Sequence, residues 1–424
     1  MRKSQYRSVS VKKVDVQRAI LSPGGPLVLG IDVAKESFFA SVMGQNQKVL
    51  VTVRWKHPVE HREFIQFVSR LREISPVEAV MEPSGVYGDA VRYALLQSGV
   101  SVFRVNPKQS HDAAEVYDGV PSLHDAKSAA IVAKLHLDGR SEPWPFRDEL
   151  EQGLAAVVRQ LEVFEKQFRQ NRNRLEGLLA RHWPELSRTL GLESVTLLEL
   201  LIKFGCPEKV AHVPKEAQEF MQSVGGPFLS KEKILAVTKG AKKTVGVPTV
   251  SEERELIMLV ASEARRSQKI VTTIRRKIEL LVGEHESSAR LQAVIGKTTS
   301  AVIVAAVGDP QKYTSSRAYE KALGLNVREK SSGKKKGGLH ITKRGPGVSR
   351  LYLYLAALRL IQRDPVVRAW YAKKVGRQGG IMKSKAVVAV MRKLSRALWY
   401  VARGAPFDSS LLFDTTRLSL SEAL

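Results

Sequence analysis

One cysteine, Cys206, stands among 424 residues. A disulfide within one chain is thereby excluded, and so is a cysteine-rich zinc site. The chain reads as cytoplasmic. No stretch approaches the roughly 18 consecutive apolar residues of a membrane span. The first 20 residues are basic and lack the apolar centre of a signal peptide. Acids are scarce relative to bases: 42 Asp and Glu face 68 Lys and Arg, for a net charge of +26. Such an excess holds polyanions, and nucleic acid is the leading partner. With 43% hydrophobic residues the chain can bury a large core, which excludes collagen-like or wholly disordered character.

Hydrophobic patterning divides the chain. Residues 1–26 are basic and polar, end in Ser22-Pro23-Gly24-Gly25-Pro26, and are expected as a flexible arm. Over 27–147 the spacing predicts strands at 27–32, 37–43 and 48–53, a helix at 57–72, a strand at 78–82, a helix at 87–97, a strand at 101–106 and a helix at 125–137. Three strands, helix, strand, helix, strand, helix is the order of RNase H-like α/β domains. A helical insertion follows at 148–287. Leu150, Leu154, Val157, Leu161, Phe164, Phe168, Asn171, Leu175 and Leu178 keep a 3-4 spacing, with one Asn to set register, which is coiled-coil patterning. Ile257, Val260, Ala264, Ser267, Val271, Ile274, Ile278 and Leu281 form a second such seam. Two seams can pair within a chain or between chains. Pairing between chains is the expectation, as a homodimer assembling to a tetramer. Residues 288–405 read as a mainly helical unit, and 406–424 as a tail. The stretch 291–301 has the form of a helix-hairpin-helix turn. Residues 328–350 carry Arg328, Lys330, Lys334, Lys335, Lys336, Lys343, Arg344 and Arg350 among five glycines, a basic loop.

Asp32 and Glu82 each end an apolar run, and Asp125 opens a helix. On neighbouring strands and an overlying helix these carboxylates would repel one another unless a hard cation sat among them. A Mg²⁺ pair there would serve phosphoryl transfer. Each acid alone reads more plainly as a cap or surface charge; three at matching positions in so basic a chain favour the metal. Ser331-Ser332-Gly333 heads the basic loop. A serine hydroxyl attacks only when activated and held against its target, and these residues alone read more plainly as a polar linker. His57, Glu60 and His61 match H-x-x-E-H. Pro58, expected at the first helical position, takes His57 off the face of His61, so no metalloprotease is inferred.

Leu29-Gly30-Ile31-Asp32-Val33-Ala34-Lys35, Met81-Glu82-Pro83-Ser84-Gly85-Val86-Tyr87-Gly88, Val105-Asn106-Pro107-Lys108, Ala322-Leu323-Gly324-Leu325, Ser332-Gly333 and Ile341-Thr342-Lys343-Arg344-Gly345 together resemble the DEDD transposases of the one-ten insertion-sequence family, relatives of the Piv DNA invertase. The resemblance covers about residues 27–405. It implies a RuvC-like (RNase H fold) domain, a coiled-coil insertion, and a C-terminal transposase domain whose serine becomes attached to DNA. It also implies Mg²⁺, a bridge RNA as guide, and a prokaryotic, nucleoid-associated location. The family's first acid falls on Asp32 and its glutamate on Glu82. The last two acids stand as Asp-x-x-Asp-Ala in the family. With Asp125 as the third, the fourth place is Ser128. In a competing frame Asp125 is the fourth and Ser122 takes the third. The first frame is preferred because Ala129 and Ala133 then match small helical positions. Either way one carboxylate is missing. The nucleophile falls on Ser332, with Ser331 as the fallback, and Lys334, Lys335, Lys336, Lys343 and Arg344 would grip nucleic acid. The rivals are a RuvC-like nuclease that uses water, without a covalent intermediate, and a decayed, non-catalytic nucleic-acid-binding relative.

Overall fold

A computed structural model describes residues 6–19, 25–83, 85–144, 149–283, 285–329, 337–377, 379–413, 415 and 418, without the side chains of 150 and 151. Ser331, Ser332 and Lys334 to Lys336 lie outside the described residues, as does the Leu150 side chain. The chain divides into two compact units, 1–146 and 147–424.

The first unit is built on a mixed seven-stranded sheet of order β1-β4-β3-β2-β5-β6-β7. Its strands are β1 (Ser8–Ser10), β2 (Leu27–Val33), β3 (Ser37–Met43), β4 (Val49–Lys56), β5 (Val77–Met81), β6 (Ser101–Val105) and β7 (Ser141–Pro143). Strands β2, β3 and β4 form an antiparallel meander, while β5 runs parallel to β2 and β6 parallel to β5. The helices are α1 (Val16–Ala19), α2 (His61–Ile74), α3 (Asp89–Gln97), α4 (Pro107–Asp112) and α5 (Asp125–Leu137). Side chains alternate across a strand, and here the two faces bury different partners. Leu27, Leu29 and Ile31 share a core with Phe64, Phe67 and Leu71 of α2 and Val91 and Leu95 of α3. Val28 and Val80 meet Ala130, Ile131 and Ala133 of α5 on the other face.

Two expectations are corrected here. The arm is not wholly free: Ser8–Ser10 pairs parallel with Thr52 to Arg54, and Val11 is fully buried. Val11, Val14 and Val16 bury enough apolar surface to override the charges between them. The helix expected from residue 57 begins at His61. Residues 57–60 form a turn and Glu60 precedes the first helical residue, so Pro58 does not open the helix. The His57 and His61 imidazoles sit edge to face, 5.3 Å between centroids.

The second unit is largely helical. Helices α6 (Glu149–His182) and α12 (Ser251–Leu281) pack antiparallel as a long hairpin. Near one end Leu154, Val157 and Leu161 share a core with Val271, Ile274 and Ile278. Near the other, Leu175 and Leu179 share one with Ile257, Ala261 and Ala264. The two predicted seams therefore find each other within one chain, which corrects the expectation of pairing between chains. Asn171 and Ser267 are buried where the two cores part, beside a polar cleft of about 470 Å³. Between the two long helices, α7 (Pro184–Thr189), α8 (Val195–Phe204), α9 (Pro207–His212), α10 (Pro214–Gly225) and α11 (Lys231–Lys242) form a cap around Trp183, Leu197 and Met221.

Helices α13 (Glu286–Ile295) and α14 (Lys297–Val307) form the expected hairpin around Gly296, whose φ of +82° suits glycine. Then come α15 (Ser316–Ala322), a two-stranded ribbon of β8 (Val327–Arg328) and β9 (His340–Ile341), α16 (Gly347–Arg363), α17 (Pro365–Gly376) and α18 (Lys383–Ala402). These pack with the base of the long hairpin. Glu165 of α6 accepts from Tyr352 Oη at 2.7 Å and from Arg275 Nη2 at 2.8 Å, tying α6, α12 and α16 together. Trp370 stacks on Phe413 of the tail at 4.5 Å and so belongs to the core.

Candidate active site

The geometry starts at Gly30. A Cβ there would lie 2.2 Å from the Ala129 carbonyl oxygen and 2.7 Å from the Ala133 Cβ. Only a glycine lets α5 lie this close to β2, and only small residues on α5 can face it. Asp32 is two residues further along the same face of the strand, a rise of about 6.6 Å. Asp125 is one turn before Ala129, about 6 Å along the helix. The matched rises carry Asp125 towards Asp32, with Ser128 on the same turn. Because β5 pairs with β2 through Ile31 and Met81, Glu82 follows on the adjacent strand at the same sheet edge.

Burial pushes the Asp32 carboxyl up to about 6, with the charges of Asp125 and Glu82 adding to the shift. The three acids thus share one electrostatic site. As they stand, no three His, Cys, Asp or Glu side chains among the described residues converge closely enough to hold a metal ion. The donor set nonetheless fits a hard cation: three carboxylates, an uncharged oxygen at Ser128, and a like-charge repulsion that a divalent ion would relieve. Ser122 is exposed in the loop before α5, whereas Ser128 is half-buried on the helix itself.

Three residues around the site were not singled out from sequence. Ser110 of α4, 5% exposed, donates its hydroxyl to Glu82 Oε1 and fixes that carboxylate. It falls three residues after Pro107, just outside the motif 105–108. Lys127 lies between Asp125 and Ser128 yet is 2% exposed. Its ammonium donates to Asp118 Oδ1 at 2.9 Å and to the Val120 carbonyl at 2.6 Å. That bond holds the Asp118 carboxyl below the usual range. Tyr6 also donates to Asp118, at 3.2 Å, and its phenol is pushed up to about 12 by burial and then by that carboxylate. The loop that delivers Asp125 is therefore pinned at both Asp118 and Val120. His136, at the far end of α5, bridges Glu78 Oε2 at 2.9 Å and Ser141 Oγ at 2.7 Å and is structural.

In the second unit, Lys343 and Arg344 are exposed on the strand-to-helix turn before α16. Glycines set that turn. A Cβ on Gly345 would lie 2.3 Å from the Ala322 carbonyl oxygen, and one on Gly324 2.9 Å from the Arg344 backbone nitrogen. The segments 322–325 and 341–345 interlock backbone to backbone, leaving the two cations outward.

Comparison with known proteins finds two matches along the chain, the first running from the sheet unit through α6. A transposase family model of the DEDD, IS110 type matches residues 29–184, and a model of the IS116/IS110/IS902 transposase family matches residues 292–372. Together they cover more than half of the chain. The chain belongs to the IS110 family of transposases. It is similar to an uncharacterized 43.6 kDa protein of insertion element IS110 from Streptomyces coelicolor, 24% identical over 307 residues that span 70% of this chain and 74% of that protein. It is also similar to the transposase for insertion sequence element IS1328 from Yersinia enterocolitica, 29% identical over 177 residues, or 39% of this chain and 53% of the other. As an IS110-family transposase it is an enzyme that acts on DNA. The first matched region contains Asp32, Glu82, Asp125 and Ser128; the second contains Ser332 and the basic loop. The family models leave 185–291 unmatched, which is the helical cap and α12. No helix among the described residues is long and apolar enough to cross a membrane.

Proposed function

We propose that this IS110-family transposase cuts and rejoins DNA through a covalent serine intermediate, with an RNase H-like (RuvC-like) first unit that holds Mg²⁺. The observation that carries the reading is the placement of Asp32, Glu82 and Asp125 at one sheet edge, near enough for their charges to act on one another. Asp32, Glu82 and Asp125 would hold the metal, and Ser128 would meet it through water in place of the missing fourth acid. When bound, Mg²⁺ supplies charge neutralisation at the phosphate. Ser110 keeps Glu82 aimed, and the Lys127 clamp keeps Asp125 in place. Ser332 Oγ would bond to phosphorus and give up its proton to solvent, while one bridging P–O bond of the strand breaks and the departing sugar oxygen takes up a proton from solvent. Lys334 to Lys336, Lys343 and Arg344 grip the backbone. A guide RNA and assembly from dimer to tetramer complete the proposal.

Asp32→Ala and Glu82→Ala should lose strand exchange while keeping DNA binding, because these acids offer phosphate no attraction. Ser332→Ala should bind DNA yet form no denaturant-resistant protein–DNA species, and Ser331→Ala should still form one. An adduct in Ser332→Ala would show that the nucleophile is elsewhere. Nicked DNA without an adduct in the unmodified protein would favour hydrolysis by water.

A further inference from the structure

The second unit holds a cavity that the reading above touches only at Lys343. It measures about 440 Å³, between the β8–β9 ribbon and helices α17 and α18. Its size lies within the roughly 300–1,000 Å³ range of small-ligand sites. Leu339, Ile341, Val388 and Ala389 give it apolar walls, and the His340 imidazole stands on its rim. Lys343, Lys374 and Lys385 also line it. None of these lysines has a carboxylate partner among the described residues. Arg392, the remaining cation, is held by Glu320 at 2.7 Å, a carboxylate it shares with Arg396.

A slot with apolar walls, one imidazole and three ammonium groups that lack carboxylate partners among the described residues combines two half-sites. The slot suits the face of a nucleobase, because bases unstacked from their neighbours stack on aromatic side chains, histidine among them. The ammonium groups suit the phosphates on either side of that base. A duplex backbone would use the cations and leave the slot empty; an apolar ligand would use the slot and leave the cations unpaired. A single unstacked nucleotide uses both.

We propose that this cavity receives one extruded or single-stranded nucleotide, with its base against His340, Val388 and Ala389 and its flanking phosphates on Lys343, Lys374 and Lys385. The proposal rests on the nucleic-acid reading of the chain and adds a base-binding site to it. DNA and RNA strands present the same chemistry here, and the test includes both.

The test uses the full chain and fluorescence anisotropy with a labelled ten-nucleotide strand, either base-bearing or with abasic sites at its centre, as DNA and as RNA. The base-bearing strand should bind about tenfold tighter than the abasic one, the effect of a single stacked base. Ala389→Leu fills the slot from its half-exposed side without adding a stacking face, and it should erase that preference while leaving abasic binding unchanged. His340→Ala should reduce the preference. Lys374→Ala with Lys385→Ala should weaken both strands and flatten the salt dependence. Circular dichroism melts confirm that each variant is folded. Equal binding of the two strands by the unmodified protein, or a full preference surviving in folded Ala389→Leu, would overturn the cavity assignment and leave the wider reading intact. Failure to bind any strand would instead count against the nucleic-acid reading itself. A preference confined to DNA or to RNA identifies the source of the nucleotide.

Discussion

At the scale of single residues, Asp32 is the group with the most to explain. Its carboxyl titrates near 6 in the folded chain against 3.8 ordinarily. The folded state therefore binds the proton more tightly than the unfolded state. The contribution favouring the fold is complete below about pH 4 and is lost as the pH rises through about 6. Above that, ionised Asp32 opposes folding. In metal-free protein, Asp32→Asn should then raise stability by on the order of 1–2 kcal/mol at pH 7.5, after solvent screening is allowed for, and leave it unchanged at pH 3.5. Urea unfolding at the two pH values measures both numbers, and Mg²⁺ should narrow the gap at pH 7.5. Identical profiles for the two proteins would mean that the acids are not coupled. How much of this was readable beforehand differs residue by residue. Asp32, Glu82 and Asp125 announced themselves by their places at the ends of apolar runs and the start of a helix. Ser110 and Lys127 did not, because a serine on a short helix and a lysine on a polar loop-to-helix boundary carry no pattern. Their roles exist only once burial and partners are known.

At the scale of elements, local spacing located the pieces well, since periods of two and 3.6 are properties of the chain itself. The strand 37–43 and the helix 125–137 fall where the pattern put them. What spacing cannot supply is the partner. The seams of α6 and α12 carry heptad-like apolar rows that would serve a dimer as well as a hairpin, and here they bury each other. The same limit explains the N-terminal segment: Val11, Val14 and Val16 look solvated among charged residues until the core beside α2 is there to receive them, and Ser8–Ser10 reads as a free arm until the edge of β4 is there to pair with it. The hairpin reading has a direct consequence. Leu161 is fully buried against the base of α12 and the helices beyond it. Leu161→Ala should cost about 2–5 kcal/mol as a cavity in a packed core, seen as a lower urea midpoint. If the residue sat instead in a contact between chains, the variant would keep its unfolding midpoint at high protein concentration and change its mass in light scattering. Expected is the reverse: a lower midpoint at every concentration and an unchanged mass.

At the scale of the whole molecule, charge and chemistry are divided between the units. Residues 1–146 hold 19 Lys and Arg against 15 Asp and Glu, whereas residues 147–424 hold 49 against 27. Nearly all of the positive excess lies in the second unit, and the acid cluster lies in the first. An acid site cannot attract a polyanion, so a chain built this way needs its grip elsewhere. Binding and cleavage should therefore separate under mutation. Each phosphate contact removed lowers the slope of log K against log salt by about 0.9 on duplex DNA. Replacing Lys343 and Arg344 by Gln should lower that slope by about 1–2 while leaving the Asp32 titration where it is. Asp32→Ala should leave the slope unchanged and stop strand cleavage. A titration of labelled duplex at four or five salt concentrations reads both slopes. A slope that stays the same in the Lys343 and Arg344 double variant would remove those residues from the grip. A slope that falls in Asp32→Ala would mean that the acid site itself contributes to holding DNA, and that the division of labour inferred from the charge distribution is wrong.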